Sequence, residues 1–408
     1  MKIIDTHNDT KCKIFNWASL LEDGAIQQMA DIDKLPFTRH CVLMPDAHPG
    51  YSMPIGGVAG LRNVIVPMYV GYDIGCGMCA IQTSLKRENL IDKDIRKRIL
   101  DDIERTIPFG FAHNDDKRKR KFEDHYRDTV KYIVEKTIGY DRDWDYDIEN
   151  AFYSALGTGG SGNHFLEIQY DENDNIWIMI HSGSRNLGHK IATYFHDKAM
   201  KLNEKWYSIP IGFLPVDTEE GKDYINYMNF ALDFAYQNRK QMMSEVQDIL
   251  NSYFGGNIVF DKMINIHHNY ASLENHLGEN LWVHRKGATL ADKNTIGIIP
   301  GSMGTSSHIV RGLGNVLSLK SCSHGAGRPM GRMEFNRQNQ DNIEQMKKEM
   351  EDIVYSKPSR VKKGRKETGM IDLSEMPGAY KPIEDVMADQ EDLVESIHHL
   401  KPMIVVKG

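Results

Sequence analysis

The sequence predicts an α+β fold with mixed sheets. Apolar residues form 40% of the 408 residues and charged residues 26%, which is an ordinary composition for a chain that buries a core. Helical and strand patterns follow one another without the regular βαβ alternation that indicates a parallel, doubly wound sheet. The sequence shows neither an internal repeat nor a clean linker, so we expect residues 1–408 to form a single domain.

The first part of the chain contains two helical patterns and one hairpin pattern. Residues 91–106 place apolar side chains at helical intervals opposite a charged face, which predicts an amphipathic helix. In residues 164–182, two β-rich runs flank the turn sequence DENDN, which predicts a β-hairpin. Residues 217–253 again show helical spacing and predict a second, longer helix.

The last third of the chain is predicted to contain strands and one helix. Residues 278–290 and 295–311 are rich in strand-forming residues and predict further strands. Residues 383–400 carry apolar side chains at helical spacing, which predicts an amphipathic helix. The run MIVVKG at residues 403–408 then predicts a final strand.

Charge and cysteine content exclude several classes of protein. Asp and Glu outnumber Lys and Arg by 57 to 50, so a polyanionic partner has to bind local basic patches. No apolar run reaches the roughly 18 residues that a membrane span needs, and the N-terminus lacks a signal-peptide pattern. Five scattered cysteines are too few for a secreted disulfide scaffold. We therefore expect a soluble, cytoplasmic protein that does not bind a membrane.

Two basic runs are candidate contacts for a phosphate-rich partner. Residues 117–121 are all Lys or Arg, and so are six of the ten residues 357–366. A single charge run is usually a solvated face or loop, whereas two runs in an acidic protein favour a polyanion. The other candidate cations, should neither run bind it, are Arg185, Arg285, Lys286 and Arg328.

Glycines and metal-binding side chains are concentrated in the same three stretches. Residues 50–77, 157–188 and 297–331 hold 21 of the 34 glycines, although they cover less than a quarter of the chain. Glycine is favoured where the backbone bends sharply or approaches a ligand closely. We infer a composite site assembled from distant loops. Its metal-capable residues are Asp73, Cys76, His164, His181 and His324.

The segment GYDIGCGMCAI (71–81), which begins in the first of these stretches, contains a carboxylate and two thiols. Cys76 and Cys79 form a Cys-x-x-Cys pair, which by itself suggests a zinc site or redox chemistry. No second pair follows, and no aromatic residue of the thioredoxin type precedes Cys76, so the context disfavours both interpretations. Gly75 and Gly77 free the backbone, which allows Asp73 and Cys76 to bind one cation. We predict these two as ligands and Cys79 as a small buried apolar residue.

Histidines extend this ligand set. His164 and His181 lie at the two ends of the predicted hairpin, which brings them side by side, and His324 lies in SHGAGR. The adjacent His267 and His268 face opposite sides of a strand, so only one of them can enter the site. Six ligands exceed the set of one tetrahedral ion and suit two neighbouring ions. Thiolate and imidazole favour zinc, manganese would depend on geometry and supply, and the residues leave the metal open.

Eleven motifs resemble those of the RtcB-type RNA ligases, and they appear in the family's order from residue 45 to the C-terminus. The length of the chain resembles that of the compact bacterial branch of this family. The motifs are PDAHPG (45–50), IGGVAG (55–60), GYDIGCG (71–77), GTGGSGNHFLEI (157–168), HSGSRNLG (181–188), HHNY (267–270), HRKGAT (284–289), IPGSMGTSS (299–307), SHGAGR (323–328), AYKPIEDVM (379–387) and VVKG (405–408). Ala47, Pro49 and Tyr72 depart from the family's usual residues, and none of them is a predicted ligand.

The resemblance implies an RtcB-like α+β fold, with mixed sheets around a central cleft for metal and nucleotide, and one catalytic domain over residues 1–408. Family members use GTP and two Mn²⁺ ions to join an RNA 3′-phosphate to a 5′-hydroxyl. A 2′,3′-cyclic phosphate is first opened by hydrolysis. The reaction passes through a guanylylated histidine and an RNA 3′-end activated as a diphosphate-linked guanosine. The implied role is RNA repair or tRNA splicing, while the RNA substrate, a separate activating protein and the oligomeric state stay open.

The resemblance also implies roles for individual residues. His324 falls on the guanylylated histidine. The implied metal ligands are Asp73, Cys76, His164, His181 and His268. The positions that hold the guanosine nucleotide are Asn163, Phe165, Glu167, Pro300, Ser302, Ser307, His324, Ala326, Gly327, Tyr380 and Lys407. A carboxylate at Glu167 would pair with N1 and N2 of guanine, a pattern that adenine does not present.

Three further residues near these motifs have two interpretations each. Arg185 follows the HSGS sequence and is a candidate for binding an RNA or GTP phosphate through its planar guanidinium, or else forms a structural ion pair. Asp46 and His48 of PDAHPG either support the site or shape a turn.

Two other functions would use only part of these motifs. A metal-dependent phosphodiesterase or phosphatase would use the metal site with water as nucleophile, but it needs no guanine pocket. A non-catalytic RNA-binding protein would need neither the metal ligands nor the nucleophile. Because both sets of residues are present, we favour the ligase.

Overall fold

The fold is described by a computed structural model for residues 1–4, 13–138, 147–203, 211–276, 278–363 and 366–408. Within these ranges, several mixed sheets are interspersed with helices, which confirms the predicted α+β class. None of the helices described is long and apolar enough to cross a membrane.

Two large sheets form the framework. In spatial order, the six-stranded sheet consists of β1 (Lys2–Ile4), β2 (Ile14–Asn16), β3 (Thr38–His48), β4 (Ile55–Leu61), β12 (Glu279–Lys286) and β11 (Asn269–His276). The eight-stranded sheet consists of β10 (Ile264–His267), β6 (Gly77–Lys86), β8 (Asn175–Ser182), β7 (Phe165–Tyr170), β20 (Val394–Lys407), β15 (Ser307–Gly312) and β14 (Ile296–Ile299), with β17 (Val354–Tyr355) beside β20. Each sheet contains one parallel pair, β2 with β3 and β17 with β20, among antiparallel ones.

Shorter ribbons and helices complete the described part of the chain. The two-stranded pairs are β5 (Val64–Ile65) with β9 (Leu214–Pro215), β13 (Ala288–Leu290) with β16 (Ser321–Ser323), and β18 (Arg360–Lys363) with β19 (Lys366–Ile371). The helices are α1 (Asp23–Asp33), α2 (Pro67–Val70), α3 (Lys93–Thr106), α4 (Asp116–Ile138), α5 (Ile148–Ala155), α6 (Arg185–Asn203), α7 (Glu219–Phe254), α8 (Arg332–Asn339), α9 (Ile343–Glu349) and α10 (Ile383–Ala388).

The patterns in the first part of the chain correctly predicted α3, α7 and the β7–β8 hairpin. Helix α3 begins after Asp92, whose carboxylate accepts a hydrogen bond from the backbone N–H of Asp94. Thr218 caps α7 in the same way, and α7 ends at Gly255, which adopts the left-handed conformation at φ 82°.

The last third of the chain departs from its predicted pattern at one element. The strands predicted at 278–290 and 295–311 are present as β12, β13, β14 and β15, with a loop at residues 300–306. The helix predicted over 383–400 is wrong, because α10 ends at Ala388 and residues from 394 onward belong to β20. Backbone pairing of β20 with β15 and β7 decides the conformation here, since isolated apolar spacing over a few residues fits a strand as well as a helix. The final strand predicted at 403–408 is the end of β20.

Four neighbouring strands of the eight-stranded sheet carry the predicted ligands at or next to their ends, on one side of the sheet. β6 begins directly after Cys76, β7 begins directly after His164, β8 contains His181 near its end, and β10 ends just before His268. The register pairs Met78 with His181. Residues that are distant in sequence therefore converge because the strands that carry them are hydrogen-bonded neighbours.

A buried ion pair on the six-stranded sheet anchors the strand that leads to His324. Arg285 is fully buried, and its guanidinium donates to Glu274 Oε1 at 2.5 Å and Oε2 at 3.0 Å. The same guanidinium donates to Ser321 Oγ of β16 and to the carbonyl of Leu319. The expectation that Arg285 is available to a polyanion is thus wrong. Lys286 is buried as well and donates to the carbonyls of Tyr51 and Met68.

We predict that Glu274→Gln lowers the free energy of unfolding by about 3–5 kcal/mol, because it leaves the Arg285 cation buried without a carboxylate. Burial opposes ionisation of Glu274, but hydrogen bonds from His276 and Arg285 hold its pKa well below the usual range. The carboxylate therefore stabilises the fold above its unfolded pKa of about 4.3, and this contribution declines as the pH falls below that value. Urea unfolding at neutral and acidic pH measures both effects.

The matched control for this prediction is Glu395→Gln. Glu395 forms a 3.0 Å pair with Arg311 on the surface, and its loss is expected to cost less than about 1 kcal/mol. Equal losses for the two variants would contradict an anchoring role for Glu274.

Candidate active site

A thiol and two imidazoles from three different segments lie close together at these strand ends. Cys76 Sγ lies 3.1 Å from His164 Nε2 and 3.2 Å from His181 Nε2. All three residues are buried, and their ligand atoms lie within 4.8 Å of one another. Sulfur and imidazole donors at this separation are a candidate transition-metal site.

Asp73 and His268, the other two predicted ligands, lie beside these three residues, and we call the five together the Cys76 cluster. His268 Nε2 is 3.3 Å from His181 Nε2, and Asp73 Oδ2 is 3.1 Å from His164 Nε2. His267 faces away, with its Nδ1 3.1 Å from the carbonyl of Gly75. The structure therefore brings His268, and not His267, to the cluster, which resolves the alternative that the sequence left open.

Burial favours the neutral forms of the thiol and of two imidazoles in this cluster. It raises the pKa of the Cys76 thiol, as does the charge of Asp73, and it lowers the pKa of His181 and His268, as do their neighbouring histidines. The two imidazoles therefore stay neutral and offer lone pairs. His181 Nδ1 lies 3.1 Å from the carbonyl of Asn163, a contact that keeps the proton on Nδ1 and leaves Nε2 free for a metal. The donor set fits a divalent metal, whose binding would displace the thiol proton.

Arg239 on α7 holds the backbone of this cluster, and sequence reasoning did not identify it. Its buried guanidinium donates to the carbonyl of Gly75 at 3.0 Å, to that of Ser182 at 2.9 Å and to Asn265 Oδ1 at 2.8 Å. The arginine lies within a regular amphipathic pattern, so no local signal distinguishes it from a solvent-facing residue of the helix.

Cys79 lies apart from the cluster, as its predicted apolar role requires. Its thiol is fully buried in the core beneath the sheet and donates only a long contact, 3.9 Å, to the carbonyl of Arg239. Burial raises its pKa to about 12, so the thiol stays protonated.

A cavity of about 270 Å³ opens directly beside the cluster. Its wall contains ten of the eleven residues predicted to hold the nucleotide: Asn163, Phe165, Glu167, Pro300, Ser302, His324, Ala326, Gly327, Tyr380 and Lys407. Ser307 is not in the wall. Its Oγ accepts hydrogen bonds from Gln169 Nε2 at 3.2 Å and from the backbone N–H of Gly301 at 3.3 Å, so it supports the wall from behind.

His324 lies between the cavity and the Cys76 cluster. Its ring lies 4.8 Å, centre to centre, from that of His268, and the cavity wall contains both His324 and His181. His324 Nδ1 lies 2.6 Å from Oδ2 of the buried Asp46, to which its backbone N–H also donates. A carboxylate only accepts, so in the neutral imidazole the proton is on Nδ1 and the lone pair is on Nε2. Asp46 thus supports the site and does not merely shape a turn.

Two further features fix the Asp46–His324 contact. Gly327 has φ 72°, and a Cβ at this position would collide with the backbone of Asp46, so only glycine permits the close approach of this loop to β3. His48 lines the cavity, with its Nδ1 3.0 Å from the carbonyl of Asp46.

Two acids lie beside cationic residues of the cavity wall: Glu167, which is itself in the wall, and Glu375, which contacts wall residues. Burial raises the pKa of Glu167 to about 8, although the Lys407 charge and a 2.6 Å hydrogen bond from Gln169 oppose this shift. Glu375 accepts from Tyr380 OH at 2.6 Å and from Arg328 at 2.5 Å, and it also pairs with Lys407. Sequence reasoning missed Glu375, since nothing in its local sequence indicates that it faces several cations.

Arg185 has a structural role in this arrangement. It begins α6 at φ 58° and donates from Nε to Thr158 Oγ1 at 3.0 Å and from Nη2 to the carbonyl of Gly110 at 2.7 Å. Both acceptors are neutral, so these contacts are not the structural ion pair that the sequence offered as the alternative to phosphate binding.

Comparison with known proteins identifies the family. The family model described as tRNA-splicing ligase RtcB matches residues 28–408. The chain is 38% identical to the RNA-splicing ligase RtcB of Escherichia coli (strain K12), over 99% of this chain and 98% of that protein. It is 31% identical to the tRNA-splicing ligase RtcB of Methanococcus maripaludis, over 95% and 92% of the two chains. A protein of the same name from Pyrobaculum aerophilum is also 31% identical, over 95% and 91%.

These matches extend over almost the whole chain and define an enzyme of the RNA-splicing ligase class. Within that class, the chain belongs to the RtcB family. The resemblance seen in the eleven motifs is thereby confirmed.

We predict that Cys76→Ser weakens metal binding strongly, because a hydroxyl is a much poorer ligand than a thiolate. Metal binding to the unmodified protein should become up to about tenfold tighter per unit of rising pH, since the ion has to displace the proton of a thiol whose pKa is raised. The serine variant should lose this contribution to the pH dependence. Titration calorimetry with Mn²⁺ at several pH values measures both quantities.

Cys79→Ser is the matched control for this prediction. It introduces the same change into the core and should leave the metal affinity and its pH dependence unchanged. Equal losses in the two variants would restore the Cys-x-x-Cys metal site.

Proposed function

We propose that this enzyme is a GTP- and Mn²⁺-dependent RNA ligase. It joins an RNA 3′-phosphate, or a 2′,3′-cyclic phosphate after hydrolysis, to a 5′-hydroxyl. The observation that carries the proposal is the position of His324. This histidine is oriented by Asp46 and lies between the thiol–imidazole cluster and a cavity lined by residues that match the family's guanosine positions.

The first step is the attack of His324 on GTP. Nε2 uses its lone pair to form a bond to the α-phosphorus, while the bond from that phosphorus to the bridging oxygen breaks and pyrophosphate leaves. Asp46 holds the proton on Nδ1 and stabilises the positive charge that develops on the ring, because its carboxylate lies 2.6 Å from that nitrogen. Gly325, Ala326 and Gly327 leave room for the phosphate to approach.

The metal ligands of this proposal are Asp73, Cys76, His164, His181 and His268, which would hold two Mn²⁺ ions. When bound, these ions neutralise the charge on the reacting phosphate oxygens. Because His181 and His324 share the cavity wall, a phosphate beside His324 would lie within reach of this cluster.

The base of the nucleotide would bind at the Glu167 end of the cavity. The Glu167 carboxylate would accept from N1–H and N2–H of guanine, and it would be left unpaired by adenine. Phe165, Tyr380 and Lys407 would enclose the nucleotide, with Ser302 and Pro300 on the loop at residues 300–306.

The RNA ends react in the following two steps. The RNA 3′-phosphate attacks the phosphorus of the His324-linked GMP, which releases the histidine and gives an RNA 3′-end linked through a diphosphate to guanosine. The 5′-hydroxyl then attacks the RNA phosphate and GMP leaves. Arg185 would contact the RNA phosphate only through the guanidinium edge that Thr158 and Gly110 do not occupy.

We propose that the whole chain acts as one catalytic domain in RNA repair or tRNA splicing in the cytoplasm. Supporting this, the site combines residues from Asp46 to Lys407, and the four cysteines described are free, as a reducing compartment allows. The proposal leaves room for a separate activating protein and for any oligomeric state.

We predict that His324→Ala abolishes the covalent attachment of GMP. Incubation with GTP labelled at its α-phosphate and Mn²⁺ should give an acid-labile protein label in the unmodified chain and none in the variant, because the nucleophile is absent. The variant should still join RNA that already carries the 3′-diphosphate-guanosine, since the final step does not use the histidine. Circular dichroism checks that the variant is folded.

His125→Ala on the exposed face of α4 is the control and should be labelled normally. A persistent label on His324→Ala would move the nucleophile to another residue. Hydrolysis of the phosphate at RNA ends without any protein label would instead favour the phosphodiesterase or phosphatase.

We also predict that the 357–366 run contacts RNA. Lys357 lies in a groove with Arg332, Met303 and Lys407, and these three residues also line the nucleotide cavity. In a Lys357→Gln, Arg360→Gln variant, the slope of log affinity against log salt should fall by about 0.7 for each phosphate of single-stranded RNA that the protein no longer binds. Self-guanylylation should be unchanged, because it does not require RNA.

The matched charge control lies in the first turns of α4, where Lys117 and Lys121 are exposed while Arg118 is already paired with Glu245. Lys117→Gln, Lys121→Gln removes the same charge and should leave the salt slope unchanged if that run is a solvated helix face. An unchanged slope in the Lys357 and Arg360 variant would exclude those residues from the RNA path.

A further inference from the structure

A second group of potential metal ligands lies on the paired strands β15 and β20. His308 and His399 are direct partners in the antiparallel register, so both side chains lie on the same face of the sheet. Their ring centres are 4.5 Å apart. Glu384, in the first turn of α10, adds a carboxylate, and the ligand atoms of the three residues lie within 4.8 Å of one another.

The buried member of this group has an unused nitrogen. His308 is 1% exposed, and its Nδ1 lies 3.0 Å from Ser396 Oγ, which holds the ring in place. Its Nε2 is buried without a hydrogen-bond partner among the described residues. Burial lowers the pKa of His308 to about 4, so the ring is neutral at pH 7 and one nitrogen offers a lone pair. A buried polar atom without a partner is uncommon in folded proteins and requires an explanation.

We propose that His308, Glu384 and His399 bind a divalent transition-metal ion of the zinc class. Two imidazoles and one carboxylate form a ligand set that occurs in zinc sites with an open position. Manganese binds weakest in the divalent series, so this set favours zinc over the ion proposed for the Cys76 cluster. Glu384 and His399 are exposed, which gives the ion a path from solvent to the buried His308.

The proposed site is distinct from the Cys76 cluster and does not depend on the ligase mechanism. It shares no residue with that cluster or with the wall of the nucleotide cavity. Neighbouring residues of a strand point to opposite faces, so His308 lies on the face opposite Ser307, which supports the cavity wall. A bound ion would fasten α10 to β15 and β20, next to the segment that carries Tyr380.

Cobalt absorption and zinc uptake test this proposal on the metal-stripped full chain. Co²⁺ at the Cys76 cluster gives a near-ultraviolet thiolate band, whereas Co²⁺ bound by nitrogen and oxygen gives only visible absorption. We expect His399→Ala to lose part of the visible absorption, to keep the thiolate band and to take up one zinc equivalent fewer in equilibrium dialysis. Glu384→Gln should bind this equivalent at least about tenfold more weakly. His113→Ala, an exposed histidine outside the group, is the control and should match the unmodified chain.

Thermal unfolding provides an independent measurement. Both substituted residues are exposed, so the variants should fold and should have the same melting temperature as the unmodified chain without metal. Added zinc should raise the melting temperature of the unmodified chain more than that of His399→Ala. Equal zinc uptake and equal cobalt spectra in the unmodified chain, His399→Ala and Glu384→Gln would overturn the proposal.

Discussion

Arg239 carries a buried positive charge that organises the backbone beneath the Cys76 cluster. Its guanidinium bridges the carbonyls of Gly75 and Ser182, and thus fixes the start of β6 against the end of β8. Burial lowers the pKa of this arginine, while nearby Cys79, Cys76 and Asp73 oppose that effect. A cation in the protein interior is stable only when polar or anionic groups surround it. The carbonyls of Gly75 and Ser182 stabilise the Arg239 charge, and a thiolate formed at Cys76 when a metal binds would stabilise it further. The position of the predicted metal ligands therefore depends on Arg239, a helix residue that forms no hydrogen bond with the side chain of any of them.

The proposed nucleophile, His324, is positioned by the six-stranded sheet together with the two-stranded ribbon of β13 and β16. Asp46 belongs to β3, and His324 follows β16, whose Ser321 is bound by the buried Arg285 of β12. The Cys76 cluster and the proposed nucleophile are thus built on separate frameworks that meet at the contact of His268 with His324. This division explains why the motifs lie far apart in sequence. Each framework contributes residues at strand ends, where side chains can converge without breaking the backbone pairing.

The sequence was sufficient to predict those features that depend on local pattern or on residue type. Long amphipathic spacing predicted α7, the DENDN turn predicted the β7–β8 hairpin, and glycine-flanked His and Cys residues indicated the cluster. Residues whose role depends on distant partners were not predictable in this way. Residues 394–400 form a strand because β15 and β7 pair with β20, and Arg239 and Glu375 acquire their partners only in the folded chain. The choice between His267 and His268 similarly required the end of β10 to be located.

The charges around the cavity are arranged for an anionic ligand. Glu375 draws together Lys407, Arg328 and Arg332, and although burial opposes its ionisation, these cations hold its pKa below the usual range. Three cations face one carboxylate there, so a net positive charge remains beside the wall that contains His324. Glu167, on which the Lys407 charge also acts, is buried, and its raised pKa shows that the protein's own donors do not fully offset the burial of its carboxylate. A ligand with both N–H donors and phosphate oxygens would satisfy Glu167 and these cations at once, and the proposed guanosine nucleotide offers both.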